Sequence, residues 1–179
     1  MQKILILAYP GLGKTYLAEN YANVSDFEFQ HYRYDYGKYK NLPLEQLKGR
    51  TDIRKPNPEY PQNFFKALEE EIKKRDVVCV PLATSIISGL DHLSNDCHVR
   101  VIFAIKSKNE FDQLIEDYKK RNNSNEWIER RTRDFDKFYE IVENTKYEKL
   151  FVGKNEHLSD ALSRIGIQLK KGKGYKNYI

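Results

Sequence analysis

The chain has 179 residues, enough for one domain with a substantial core, and its 40% hydrophobic and 32% charged residues are a globular mixture. A formal net charge of +5 is modest for this length and is partly due to the basic run Lys170–Lys176, so the composition argues against a dedicated nucleic-acid binder and is compatible with phosphate-bearing ligands. Two cysteines, Cys79 and Cys97, do not make a disulfide framework.

In chain order, Lys3–Leu7 is a short aliphatic run that reads as a buried strand. It is too brief for a secretory leader or a membrane span, so the expected location is cytoplasmic, with no membrane partner. A helical pattern follows over Thr15–Tyr21. Val24–Phe29 alternates apolar and polar residues, as a second strand does. The Tyr- and Lys-rich stretch Tyr32–Lys40 leads to Lys55–Pro61, where three prolines in seven residues argue against regular structure.

Gln62–Arg75 is expected to be helical, with Phe64, Phe65, Leu68 and Ile72 on one face. Strands are expected at Val77–Leu82, Val99–Ile105 and Lys149–Val152. Helices are expected at Ser85–Leu93, Asn109–Lys120, Glu126–Asn144 and His157–Arg164. Strands that alternate with helices imply an α/β fold with a mostly parallel five-stranded sheet covered on both faces. The expected organisation is a single domain over residues 1–169 and a loose basic tail over 170–179.

The segment Ala8-Tyr9-Pro10-Gly11-Leu12-Gly13-Lys14-Thr15 matches the Walker A pattern, with Ala in place of the first Gly. Its context, strand before and helix after, is the one the motif requires. Gly11 and Gly13 open backbone conformations closed to other residues, so that successive N–H groups can form an anion nest. Lys14 is placed to reach the β- and γ-phosphates of ATP, and the Thr15 hydroxyl to ligate Mg²⁺. No Asn-Lys-x-Asp guanine motif is present, and the third strand ends Pro81-Leu82-Ala83-Thr84-Ser85 without a Walker B acid.

Small kinases remain. The chain resembles the P-loop nucleoside and nucleotide kinases, and within them a group of small phage- and prophage-type nucleotide-kinase-like proteins. The likeness rests on the first-strand P-loop, the acidic second strand Asp26–Glu28, Arg54 with Pro56–Pro58, Tyr60, Pro61 and Asn63, and Leu158–Asp160 after the last strand. It implies a three-layer P-loop domain with strand order 2-3-1-4-5. It also implies an arginine lid near residues 121–135, with Arg121 and Arg130 on the phosphates, and an adenine-side loop at Gly153, Lys154 and Asn155. The implied reaction is transfer of the γ-phosphoryl group of ATP·Mg²⁺ to a small acceptor, a nucleoside monophosphate above all.

Each remaining candidate has a structural alternative. Asp26 and Glu28 share one side of a strand, and Glu28 lies nearer its ligand-binding end, as an acid that orients the acceptor would; a solvated edge strand gives the same pattern. Arg54 is a candidate for the acceptor phosphate, or a surface arginine. Tyr60 and Asn63 are candidates for the acceptor base, or organisers of a helix start. Thr84 and Ser85 suit a phosphate or Mg²⁺-bound water, or a helix cap. Arg130 and Arg133 share a helix face that Arg131 does not, and their acidic neighbours also suit a salt-bridged surface. Asp35 suits a turn. His92, Cys97 and His98 lack the spacing of a zinc site.

Overall fold

The aliphatic runs of the sequence become the centre of a sheet. In this computed structural model, which describes residues 2–47, 50–91, 93 and 98–177, β1 (Ile4–Ala8) lies between β5 (Val77–Pro81) and β6 (Arg100–Lys106). With neighbours on both edges and helices over the faces, Leu5, Ile6, Leu7 and Ala8 are completely buried. That is why these strands read as unbroken apolar runs rather than as alternating ones.

The other strands are β2 (Val24–Asp26), β3 (Tyr34–Asp35), β4 (Lys55–Pro56), β7 (Glu148–Val152) and β8 (Tyr175–Lys176). The main sheet has six strands in the order β7-β6-β1-β5-β2-β8, and every pairing in it is parallel. Its first five strands follow the order the resemblance implied. The helices are α1 (Lys14–Asn20), α2 (Gln30–Arg33), α3 (Leu44–Leu47), α4 (Gln62–Lys74), α5 (Thr84–Ile87), α6 (Phe111–Lys120), α7 (Asn125–Asn144) and α8 (Leu158–Arg164). Among the described residues, no helix is long and apolar enough to cross a membrane.

The sheet corrects three expectations. It has six strands rather than five, because the 170–177 segment is not a loose tail: Tyr175 and Lys176 pair with Ser25 and Asp26. The outer edge of β2 offers backbone groups that need partners, and this segment supplies them. Gly174 permits the approach, since a Cβ there would collide with the carbonyls of Val24, Tyr21 and Ala18. Lys170 and Lys176 fasten the strap through Asp76 and Glu19, at 2.9 and 2.8 Å.

Second, the proline-rich stretch contains β4, which pairs antiparallel with β3. A two-residue ladder at the edge of a hairpin tolerates a proline that an interior strand would not. Third, β2 stops at Asp26 instead of Phe29. Beyond it, Phe27 and Phe29 turn their rings onto Phe64 of α4, at 5.7 and 6.4 Å between centroids. Aromatic packing there replaces the ladder.

Candidate functional site

The Ala8–Thr15 loop leaves the central strand at the carboxyl edge of the sheet, where open α/β sheets place their ligands. Gly11 and Gly13 both take positive φ values, +89° and +102°, and Gly13 occupies the cap position of α1. Among the described residues, no acceptor is found for the backbone N–H groups of Gly11, Leu12, Gly13 and Lys14. A consecutive set of open amides in a glycine-shaped turn is an arrangement suited to an anion.

Two acids from the second strand region meet this loop. Thr15 Oγ1 donates a 2.9 Å hydrogen bond to Asp26 Oδ2, and Lys14 Nζ lies 3.8 Å from Glu28 Oε1. Asp26 is only 1% exposed, so the solvated-edge alternative does not describe it. Burial works against the charge on Lys14, but the carboxylates of Glu28 and Asp26 outweigh it, and the lysine pKa lies above its ordinary value. Burial, with Asp26 adding to it, pushes the neighbouring Cys79 thiol far up, so that this cysteine is inert. The Thr15 hydroxyl and the Asp26 carboxylate form an all-oxygen pair of the kind a hard divalent cation takes.

The opposite wall is the α6–α7 pair. The Tyr118 hydroxyl donates to the carbonyl of Pro10 at 2.6 Å, and the Tyr9 hydroxyl donates to that of Arg131 at 2.7 Å. Both tyrosines are fully buried, and burial holds both phenols protonated. The shape of the loop is therefore set from outside it. Arg121, just past α6, donates through Nη2 to the carbonyl of Gly11 at 3.3 Å. Arg130 and Arg133 are exposed on the outer face of α7. Arg131 instead turns inward over the ring of Trp127, at 5.3 Å from the centroid, with its Nε buried and unpaired among the described residues.

A cleft of about 340 Å³ opens beside the loop, lined by Gly11, Gly13, Tyr16, Lys106, Arg121 and Ser159 among others. Lys106 ends β6 nearly buried, and its ammonium donates to the carbonyls of Gly153 and Glu156 at 2.7 and 3.3 Å. Lys154 and Asn155 sit exposed on the turn just ahead of the residues that line this cleft.

A larger cleft, about 810 Å³, lies between the 31–43 and 55–59 segments, and its lining includes His31, Tyr36, Lys55, Asn57 and Asn177. Arg54 is not among its lining residues and stacks on Tyr34, 4.2 Å from the ring centroid. The Tyr60 hydroxyl shares a 2.7 Å hydrogen bond with the Ser85 hydroxyl. Asn63 donates to the carbonyl of Tyr32 at 3.0 Å and ties α4 to α2. Thr84 is exposed at the start of α5, where Ala83 holds the cap position. Asp35 accepts from the Gly37 amide at 2.8 Å and closes a turn. His92 and Cys97 lie outside the described residues, and His98 is exposed.

The structure thus gathers Lys14, Thr15, Asp26, Glu28 and Arg121 around one loop, and leaves Arg130, Thr84, Lys154 and Asn155 on the surface. Sequence reasoning missed Asp26 as the partner of Thr15, although the acidic pair in the second strand was the available signal. It also missed Lys106, a charge at the carboxyl end of a buried strand, and Asn177, for which no signal exists. No protein-family model matches the chain, and no curated protein or solved structure matches it.

Proposed function

We propose that the chain is a P-loop phosphotransferase that moves the γ-phosphoryl group of ATP·Mg²⁺ to a small acceptor, a nucleoside or deoxynucleoside monophosphate. One observation carries the proposal: the open amides of Gly11–Lys14 lie next to a lysine and a threonine that are each held by an acid from the end of the second strand region. Right-handed crossovers in this strand order put α1 and α8 on one face and α4, α6 and α7 on the other, the three-layer arrangement of P-loop kinases.

In this reading the amides of Gly11–Lys14 and the Lys14 ammonium bind the terminal phosphates and offset their charge. Thr15, backed by Asp26, is the residue that would hold Mg²⁺, and the ion would supply further charge neutralisation on the phosphate oxygens. Arg121 leaves the carbonyl of Gly11 for a phosphoryl oxygen, a stronger acceptor for a guanidinium. Glu28 holds the Lys14 ammonium in place beside the phosphates; the attacking group of a monophosphate is a phosphate oxygen that is already anionic and needs no base. The nucleotide base of ATP occupies the cleft walled by Lys106 and Ser159, and the acceptor occupies the larger cleft on the Glu28 side.

A coupled assay of ATP consumption against a panel of ribo- and deoxyribonucleoside monophosphates tests this. The expected result is ADP formation only when one acceptor class is present. Steady ATP hydrolysis with no acceptor would instead mark an accessory ATPase. Phosphorylation of a 5′-hydroxyl oligonucleotide alone would mark a polynucleotide end kinase.

A further inference from the structure

The 170–177 strap reaches the proposed site from the far end of the chain. Past β8, the side chain of Asn177 takes both backbone groups of Glu28: its Oδ1 accepts from the Glu28 N–H at 2.8 Å, and its Nδ2 donates to the Glu28 carbonyl at 2.8 Å. The Asn177 backbone N–H adds a 3.4 Å bond to the carbonyl of Asp26. β2 ends at Asp26, and among the described residues no ladder bond to Glu28 is found; one amide side chain takes the place a neighbouring strand would fill. Asn177 also lines the larger cleft together with His31, Tyr36 and Asn57.

We infer that Asn177 is a positioning residue for phosphoryl transfer, which fixes the Glu28 backbone so that its carboxylate stays beside Lys14. The inference rests on the phosphotransferase reading for its kinetic consequence, but its geometric consequence stands apart from it. The Glu28 N–H donates to Asn177 Oδ1 at 2.8 Å, so loss of that acceptor registers as faster hydrogen exchange at this amide, whatever the chain catalyses.

The experiment uses the full chain and compares wild type, Asn177→Ala and Lys176→Ala. The last breaks the Lys176–Glu19 ion pair of the same strap without touching Glu28. Amide hydrogen exchange followed by NMR gives the protection of the Glu28 N–H, and the coupled assay gives kcat and KM. For Asn177→Ala the expected results are exchange of the Glu28 N–H faster by about tenfold or more and a kcat lower by about ten- to a hundredfold, with KM for ATP unchanged. Lys176→Ala should stay near wild type in both readouts.

Asn177→Asp keeps an acceptor for the Glu28 N–H and gives up the donor to its carbonyl, so its kcat should fall between wild type and Asn177→Ala. It serves as the measured variant if the alanine protein does not fold. An Asn177→Ala protein whose Glu28 N–H exchanges at the wild-type rate would overturn the inference, and so would equal losses in Asn177→Ala and Lys176→Ala. If wild type transfers no phosphoryl group, the functional reading fails and exchange of the Glu28 N–H alone decides on Asn177.

Discussion

Alanine at Gly11 and alanine at Gly13 should differ in a way the structure sets. Both glycines have φ values in the left-handed region, where a Cβ costs about 1–2 kcal/mol. At Gly13 that is nearly the whole effect, because the closest neighbour of an added Cβ is the Tyr16 Cβ at 4.0 Å. At Gly11 the added atom would lie 2.5 Å from Tyr118 Cε1 and 3.0 Å from Leu114 Cδ1. Tyr118 has little room to give: it is fully buried, its hydroxyl holds the carbonyl of Pro10, and its ring meets that of Trp127 edge-on at 4.8 Å. Overpacking of this kind adds about 1–3 kcal/mol, for a total of about 2–5 kcal/mol at Gly11.

Trp127 is the single tryptophan, so its fluorescence reports on this contact during urea unfolding. With an m-value near 3 kcal/mol/M, Gly11→Ala should lower the midpoint by about 1 M and Gly13→Ala by about half that. Equal midpoints for the two variants, or a wild-type midpoint for Gly11→Ala, would refute the view that α6 sets the shape of the loop.

Lys14→Met should abolish phosphoryl transfer with an unchanged far-ultraviolet circular dichroism spectrum, because the lysine serves charge rather than packing. Asp26→Asn should raise the Mg²⁺ concentration needed for half-maximal rate by about tenfold or more, read from a magnesium titration, because it removes the charge behind Thr15. Arg121→Ala should lower kcat more than it weakens ATP binding, as measured by calorimetry beside kinetics. The hydrogen bond from Lys170 holds the Asp76 carboxyl below its ordinary pKa, against the opposing effect of burial. Its stabilisation is present above the ordinary aspartate pKa and is lost as pH falls through the lower folded value. Urea midpoints of Asp76→Asn should therefore fall less steeply with acid than those of wild type.

Much of the sheet was legible because its central strands are buried on both faces, and the charged residues they carry, Arg100 and Lys106, stand at the ends of the run. The helices α4 and α7 came within one residue of their expected bounds, since Phe64, Leu68 and Ile72, or Ile128, Phe135 and Val142, recur at helical spacing on the inner face. The turn after β1 was legible because Gly11 and Gly13, two residues apart, are the ones that take positive φ there. What stayed hidden depends on contacts made across the chain. β8 is a tyrosine and a lysine within a run of lysine and glycine that carries no strand pattern, and it forms because β2 offers an edge. Asp26 was as readable as a solvated edge acid as a functional one, because a polar residue in a short strand gives no hint that a threonine eleven positions earlier will bond it. The inward turn of Arg131, against the outward Arg130 and Arg133, follows from the packing of α7 on Tyr9, with Arg131 lying over the Trp127 ring of its own helix, which periodicity registers only as a different face.

Backbone amide NMR of the 15N-labelled chain, titrated with ATP·Mg²⁺, addresses the central claim without any assumption about the acceptor. The N–H signals of Gly11, Leu12, Gly13 and Lys14 should shift together and saturate, and they should stay in place when the same titration is run on Lys14→Met at the same concentrations. Shifts confined to the larger cleft, or none in those four amides at millimolar ATP, would contradict it.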